Sequence, residues 1–438
     1  MSVISMPGAH RPLSDWRRSA CALMLLSLPI LVYGPEGGTG LVGLAWLAFS
    51  LLAWVHAVRQ RPAAQTLANF GAVGMAIFPL LVLAVIVLVG GSLAHLDNPS
   101  RMLLALPVAI VVAGLAPSPR NWFYANALGG MFGGAMAIYQ VHFTQASLAT
   151  GLQSNPNKFS YLSAVSALAC LAATRLDKSD RPPLLVLAAG GGLSVAALLL
   201  SGTRGAWLAF SCALGGWFVL NRSVSWRLRV GLLAAITVGA IGFAYVEGQV
   251  IQQRWAKTSV ELEQYFAGGW EESSIGERFE LWRGALVMIQ EQPVTGVGLG
   301  NYNEWLRNLV EQGRLDRQVE DHGHAHNEFL MWWSTAGIAG FLGVAAALLG
   351  PLIYFTRQAV RRAGPGPADA RLRRHQSCSL AGSLIATQTV IFCLFDAFFY
   401  VQFASVYYAL TMTTLIGLVQ ANRDPFGSNL TNGKNASI

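Results

Sequence analysis

The sequence is poor in charged residues. Only 12% of its 438 residues are Asp, Glu, Lys or Arg, whereas 53% are hydrophobic. A water-soluble domain carries about twice this charged fraction, which argues against a soluble enzyme. Apolar runs of about 17 to 25 residues, the length that crosses a bilayer as a helix, recur along most of the chain. The composition therefore predicts an all-α, polytopic membrane protein.

Paired cysteines and common cofactor motifs are also missing. The five cysteines form no CxxC pair and lie in or beside apolar runs, where they are expected to be small buried hydrophobes. The glycine-rich run "PVTGVGLGNY" (293–302) lacks the strand and helix that flank a dinucleotide site. The net charge of +8 comes from residues in short connectors rather than from one basic face. We therefore expect no cofactor and no nucleic-acid partner.

About twelve membrane spans are predicted. They lie near residues 19–33, 40–57, 69–92, 101–116, 121–143, 158–175, 183–201, 204–220, 228–247, 327–355, 376–398 and 401–420. Lys and Arg concentrate in alternate connectors, which by the positive-inside rule places both termini in the cytoplasm. The predicted domains are spans 1–9 (1–246), a periplasmic loop (247–326), spans 10–12 (327–420) and a disordered cytoplasmic tail (421–438).

The long polar loop is expected to be partly helical and functional, because long structureless loops are uncommon. In "GERFELWRGALVMIQEQP", the residues Phe279, Trp282, Leu286 and Ile289 repeat at helical spacing and predict one apolar face.

Arginines at the predicted periplasmic surface are candidates for anion binding. Arg204 in "SGTRGAWLAF" lies on the side that the positive-inside rule disfavours. It is either a helix-end arginine that snorkels to the surface or a ligand for an anion such as a lipid pyrophosphate. The neighbouring Gly205 is predicted to leave room for that ligand. Arg278 and Arg283 lie about 140° apart on a helix, so one can face the site while the other pairs with Glu280 or meets solvent.

The stretch "EDHGHAHNEF" (320–329) places three histidines within five positions. His322 and His326 would share a helix face, and all three histidines would share a strand face, so zinc binding, a merely polar loop and acid–base catalysis all stay open. The absence of an HExxH motif disfavours metal. His326 is the favoured general base, because it lies where the polar loop meets the next apolar span.

Four segments together resemble the O-antigen ligase and polymerase superfamily (the Wzy_C group). "HNEFLMWWSTAGIAG" matches its H-[NSQ]-x9-G-x-x-G pattern, with His326 and Asn327 at the start and Gly337 and Gly340 at the end. "RFELWRGALVMIQEQPVTGVGLGNY" is similar to the segment that precedes this pattern in the family. "SGTRGAWLA" and "NPNKFSYLSA" resemble two further family motifs.

The resemblance implies a GT-C-like glycosyltransferase in the bacterial inner membrane. It implies transfer of an O-antigen glycan from undecaprenyl pyrophosphate to lipid A–core at the periplasmic face, without a metal and with inversion. His326, Arg204, Arg278 and Arg283 would be catalytic. Substrate-binding roles would fall to the residues Asn327, His324, Gly205, Asn157 and Tyr302.

Other functions remain open at this stage. A polymerase would use a second lipid-linked repeat as acceptor, and a protein O-oligosaccharyltransferase would use Ser or Thr. A lipid or solute transporter is the rival from another class, since about twelve spans suit it. The gathering of polar motifs on one predicted side of the membrane favours the enzyme.

Overall fold

The structure is a computed structural model that describes residues 14–35, 37–220, 226–227, 274–360 and 369–423. These residues form helices and connecting loops, with no strand among them. In chain order the α-helices are α1 (Ser14–Leu31), α2 (Gly38–Gln60), α3 (Ala63–Leu67), α4 (Phe70–Val89), α5 (Asp97–Leu104), α6 (Leu106–Leu115), α7 (Arg120–Phe143), α8 (Pro156–Ala173), α9 (Leu184–Leu200), α10 (Arg204–Leu220), α11 (Ser274–Glu291), α12 (Tyr302–Glu311), α13 (Glu328–Ala359), α14 (Ala370–Phe392) and α15 (Gln402–Ala421). Short 3₁₀ helices cover Leu93–Leu96, Arg317–Val319 and Phe398–Tyr400.

Five helical segments in the described part of the chain are long and apolar enough to cross a membrane. They are Gly38–Gln60, Phe70–Val89, Leu93–Leu115, Glu328–Ala359 and Gln402–Ala421. The all-α, multi-pass prediction is therefore confirmed. The number twelve stays a prediction. Helices coincide with eleven of the predicted ranges, while residues 228–273 and nearly all of the tail lie outside the described residues.

The helices α4 and α13 pack closely because small residues line their contact. A Cβ at Gly74 would collide with the Ala346 carbonyl oxygen, and one at Gly350 would lie 3.1 Å from the Gly74 Cα. Close backbone approach through glycine is a common means of association for membrane helices. This contact fixes α13, whose first turn carries part of the candidate site.

Gly337 interrupts α13 with a non-helical backbone (φ 63°, ψ −159°). The glycine-rich turn after α11 fits into this kink. There the amides of Val297 and Gly298 donate to the carbonyls of Ser334 and Thr335, at 2.8 and 3.0 Å. A Cβ on Gly337 would collide with the Val294 carbonyl oxygen. Glycine is needed here because of both its positive φ and the lack of space, and the contact ties the polar segment to a membrane helix.

The helix α11 confirms that the polar segment is partly helical, but its predicted apolar face is offset. Its buried side chains include Leu281, Ala285 and Met288, whereas Leu286 is 48% exposed. The buried face packs with Leu306 and other residues of a second, smaller hydrophobic cluster. The sequence of α11 offers two overlapping apolar stripes, and the position of its neighbours decides which one is buried.

The two ends of the bundle differ in chemistry. The helix α14 begins at the end that holds Arg374, whose guanidinium donates to both oxygens of Asp180 at 2.7 and 2.8 Å. Its 23 residues extend for about 34 Å at 1.5 Å per residue before the chain reaches Asp396. We call the end that holds Arg374 the basic end and the end that holds Asp396 the site end.

Candidate functional site

A histidine, an aspartate and an asparagine from three distant parts of the chain meet at the site end. His326 Nδ1 lies 3.3 Å from Asp396 Oδ1, and Asn157 Nδ2 donates to Asp396 Oδ2 at 3.0 Å. The Thr203 hydroxyl extends the chain of contacts by donating to Asn157 Oδ1 at 3.4 Å. An ionised carboxylate only accepts hydrogen bonds, so His326 carries its proton on Nδ1 when neutral and presents an unprotonated Nε2.

Asn327 holds the backbone around this site. Its Oδ1 caps α13 by accepting from the Leu330 amide at 3.1 Å, and its Nδ2 donates to the Leu394 carbonyl at 3.1 Å. The Glu328 amide also donates to the Cys393 carbonyl, at 2.8 Å. These bonds join the start of α13 to the loop that carries Asp396. Both ends of the Asn327 amide thus bind the chain, and its substrate-binding role stays a prediction.

Glu328 lies completely buried behind the site. Its carboxyl oxygens accept from Trp332 Nε1 at 2.6 Å and from the Phe399 amide at 2.7 Å. A buried carboxyl group is costly unless it is hydrogen-bonded. Glu328 therefore fixes the 3₁₀ turn that follows Asp396 relative to the helix that follows His326.

The other two histidines of "EDHGHAHNEF" have different surroundings. The rings of His324 and His326 are 4.2 Å apart between centroids, in an edge-to-face arrangement. Burial, and then the neighbouring His326, lowers the pKa of His324 to about 4. His324 is therefore neutral at neutral pH. The His322 ring instead lies against the Glu277 carboxylate in the first turn of α11.

Asp396 stays ionised despite its partial burial. Burial alone would raise its pKa, but the hydrogen bond and charge of His326, then the charges of His324 and Arg278, hold the pKa below its ordinary value. Asp396 is thus a permanent anion beside the imidazole. It favours the protonated form of His326, which would develop if that ring accepted a proton.

The predicted arginines separate into two groups. Arg204 begins α10 directly after Thr203, at the site end, and is half-buried. Arg278 acts on Asp396 through its charge, which places it on the site side of α11. Arg283 is 56% exposed and pairs with Glu280 at 3.4 Å. The structure therefore brings Arg278 toward the site and Arg283 away from it.

Two predicted substrate-binding residues, Gly205 and Tyr302, pack against other parts of the chain. A Cβ on Gly205 would lie 2.9 Å from the Phe395 Cβ, so the space that was predicted to admit a ligand is filled by a side chain. Tyr302 is 1% exposed, and its hydroxyl donates to the Leu281 carbonyl at 3.2 Å. The substrate-binding roles of Gly205 and Tyr302 stay predictions, and their contacts in the structure are with the chain itself.

Three of these groups lie close enough together to hold a metal ion. The ligand atoms of His324, His326 and Asp396 all lie within 4.8 Å of one another. Two imidazoles and a carboxylate form a common zinc donor set. However, Asp396 already accepts from Asn157 and lies beside His326 Nδ1, so an ion would have to replace that pairing.

Asp396 is the site residue that the sequence reasoning missed. It is the acidic residue of "CLFDAFFY" and falls inside the predicted span 376–398. A charged residue inside an apolar span usually serves function, and this signal could have identified it. Its pairing with His326, 70 positions earlier, depends on how α13 and α14 pack.

The fold and the site define a multi-pass membrane protein with a His–Asp pair at one end of its helices. Residues 189–345 match the protein-family model described as O-antigen ligase. The chain is 24% identical over 280 residues to a Haemophilus influenzae protein described as uncharacterized, covering 61% of this chain and 67% of that protein. It is 31% identical over 182 residues to the O-antigen ligase of Salmonella typhimurium, covering 39% and 40% of the two chains.

The resemblance to the O-antigen ligase and polymerase superfamily is therefore confirmed. The region that matches the family model includes Arg204, Arg278 and His326, while Asn157 and Asp396 lie outside it. The structure brings residues from both parts of the chain to one place.

Proposed function

We propose that the protein is an O-antigen ligase, which transfers a glycan from undecaprenyl pyrophosphate to lipid A–core. The observation that carries this proposal is the His326–Asp396 pair at 3.3 Å, in a chain that resembles a superfamily of glycan-transferring enzymes. A transfer to a hydroxyl needs a base for its proton, and a neutral imidazole is well suited to that task near neutral pH.

In the proposed reaction, His326 Nε2 accepts the proton of the acceptor hydroxyl. The hydroxyl oxygen then forms the new glycosidic bond at the anomeric carbon, and the bond from that carbon to the pyrophosphate oxygen breaks. Direct displacement inverts the anomeric configuration. Asp396 orients the imidazole and stabilises its protonated form, and Asn157 holds the second carboxylate oxygen.

Arg204 and Arg278 are the proposed ligands of the pyrophosphate. A guanidinium binds phosphate oxygens in bidentate fashion and stays charged throughout. Pyrophosphate is already a good leaving group, so the protein mainly needs to hold it and stabilise its growing negative charge. Arginines provide this without a metal ion.

The proposed orientation places the site end in the periplasm. The basic end, with Arg61, Arg371 and Arg374, then faces the cytoplasm, as the positive-inside rule favours. Both lipid-linked partners would reach the site from the outer leaflet.

The identity of the acceptor is tested with purified protein in lipid vesicles. We expect the lipid-linked glycan to be transferred to lipid A–core, and not to a second lipid-linked repeat or to a Ser/Thr-containing acceptor protein. Mass spectrometry of the products separates the three outcomes. Chain extension on the lipid carrier would establish a polymerase instead, and a glycosylated protein would establish an O-oligosaccharyltransferase.

The two arginines of α11 provide a matched test of pyrophosphate binding. We expect Arg278→Ala to reduce transfer by roughly 10²- to 10³-fold, because it removes a charge that stabilises the leaving group. Arg283→Ala should change the rate by less than about threefold, because the Arg283 guanidinium is largely exposed and pairs with Glu280 rather than with the site. The two variants are compared by their initial transfer rates at a saturating acceptor concentration. Equal losses in the two variants would contradict the assignment of Arg278.

A further inference from the structure

A cavity of about 440 Å³ lies at the basic end, where α4, α13 and α15 meet. Its lining includes Phe70, Val73, Arg357, Gln358 and Arg423. None of the described residues that line it carries a carboxylate. Two guanidinium groups therefore face a cavity whose described walls supply no negative charge.

Helix capping explains the positions of the neighbouring Arg61 and Arg371 but not those of Arg357 and Arg423. Arg61 donates to the Gln420 carbonyl, and Arg371 donates to the Ala421 carbonyl at 3.2 Å, so both cap the C-terminal end of α15. The Arg357 guanidinium instead lies 4.8 Å from the centre of the Phe70 ring. This cation–π contact does not use its N–H groups as hydrogen-bond donors, so they can donate to an anion.

The crowding of positive charge makes an anion favourable here. Burial first, and then the charges of Arg371 and Arg423, lowers the pKa of Arg61. The guanidinium groups thus repel one another across this end of the bundle. A bound anion would reduce this repulsion, whereas capping carbonyls reduce it only in part.

Gln358 adds a second, independent indication of a ligand. It is 8% exposed and lines the cavity, and its Oε1 has no hydrogen-bond partner among the described residues. A buried acceptor without a donor is costly. Because Oε1 itself is buried, a hydroxyl group on the ligand would supply that donor after the Gln358 amide turns toward the cavity.

The cavity also opens toward lipid. Phe70 and Val73 are 58% and 47% exposed, and both lie in the first turn of the membrane helix α4. Apolar side chains at this position offer a surface for an acyl chain. A free phosphate ion would leave this surface unused.

We propose that the cavity binds an anionic phospholipid with a hydroxyl-bearing headgroup. The phosphate would lie between Arg357 and Arg423, the headgroup hydroxyl would donate to Gln358 Oε1, and an acyl chain would follow Phe70 and Val73. This site is separate from the His326–Asp396 pair and does not depend on the proposed transfer reaction.

Native mass spectrometry of the full-length protein tests the lipid site. The probes are phosphatidylglycerol, zwitterionic phosphatidylethanolamine and glycerol 3-phosphate, which has no acyl chain. We expect at least tenfold tighter binding of phosphatidylglycerol than of the other two. Arg357→Gln combined with Arg423→Gln should remove that preference, whereas Arg373→Gln, at the same end and paired with Asp177 at 3.0 Å, should retain it.

Equal binding of phosphatidylglycerol to the double variant and to the unaltered protein would overturn the proposal. Equally tight binding of glycerol 3-phosphate would overturn the lipid assignment in favour of a free-anion site.

Phosphatidylmethanol tests the contact with Gln358, because it has the same single charge as phosphatidylglycerol but no headgroup hydroxyl. We expect about fivefold weaker binding of this lipid, and Gln358→Met should abolish the difference between the two lipids. An unchanged difference in Gln358→Met would show that Gln358 does not contact the headgroup.

Discussion

Replacing His326 with alanine is expected to reduce glycan transfer by roughly 10²- to 10⁴-fold, the range that general-base catalysis contributes. The variant removes the proposed proton acceptor but leaves Arg204 and Arg278 in place. Binding of the lipid-linked donor should therefore change little. Initial transfer rates and donor binding, measured on the same purified sample, separate the two effects.

A matched histidine controls for side-chain loss. His142 lies near the end of α7, on the side of the bundle where the chain turns toward α8 and the site. His142→Ala should retain transfer within about threefold. Full activity in His326→Ala would refute the base assignment, and loss of donor binding together with activity would indicate a structural role instead.

Replacing Asp396 with asparagine is expected to lower the turnover rate by roughly 10²-fold or more, with a small change in the donor KM. The variant keeps the size of the side chain but removes the charge that favours protonated His326, and its amide can present the wrong hydrogen-bonding group to Nδ1. The variant should show a reduced rate at every pH.

The pH profile distinguishes this positioning role from a loss of folding. Asp396 is ionised across the working range because its pKa lies below the ordinary value. Acid that protonates Asp396 would remove the same charge, so the rate of the unaltered protein should approach that of Asp396→Asn only at pH values below the ordinary aspartate range. Asp321→Asn, which changes an exposed carboxylate of the histidine loop, should leave the profile unchanged. A ratio of the two rates that does not narrow in acid would contradict the role of the Asp396 charge.

Much of the fold could be predicted from local signals in the sequence. Apolar runs of sufficient length indicated the membrane helices. The capping roles of Asn327 and Asn155, where the helices α13 and α8 begin, were not among the predictions. The spacing of Gly337 from His326 also indicated a special position. Its role became clear only from the structure, because the partner that fills the kink, at Val294 to Gly298, lies in another element.

The candidate site was only partly predictable, because its main contact joins distant segments. His326 stood out by its place at a polar–apolar boundary, but periodicity contains no information on which loop lies opposite it. The pairing with Asp396 and Asn157 follows from the packing of α8, α13 and α14. The same limitation applies to Gly205 and Tyr302. Their residue types allow ligand contact, while their actual neighbours are core side chains.

The central claim is that the His326–Asp396 pair transfers a proton without a metal ion, and chelation of the purified protein tests it most directly. The alternative is a metal site, because His324, His326 and Asp396 lie close enough together to bind one ion. Transfer to lipid A–core is measured before and after exhaustive treatment with EDTA, and again after adding Zn²⁺. The account predicts the same rate in all three measurements. Loss of transfer with EDTA and its recovery with Zn²⁺ would contradict it and make the three residues a metal centre.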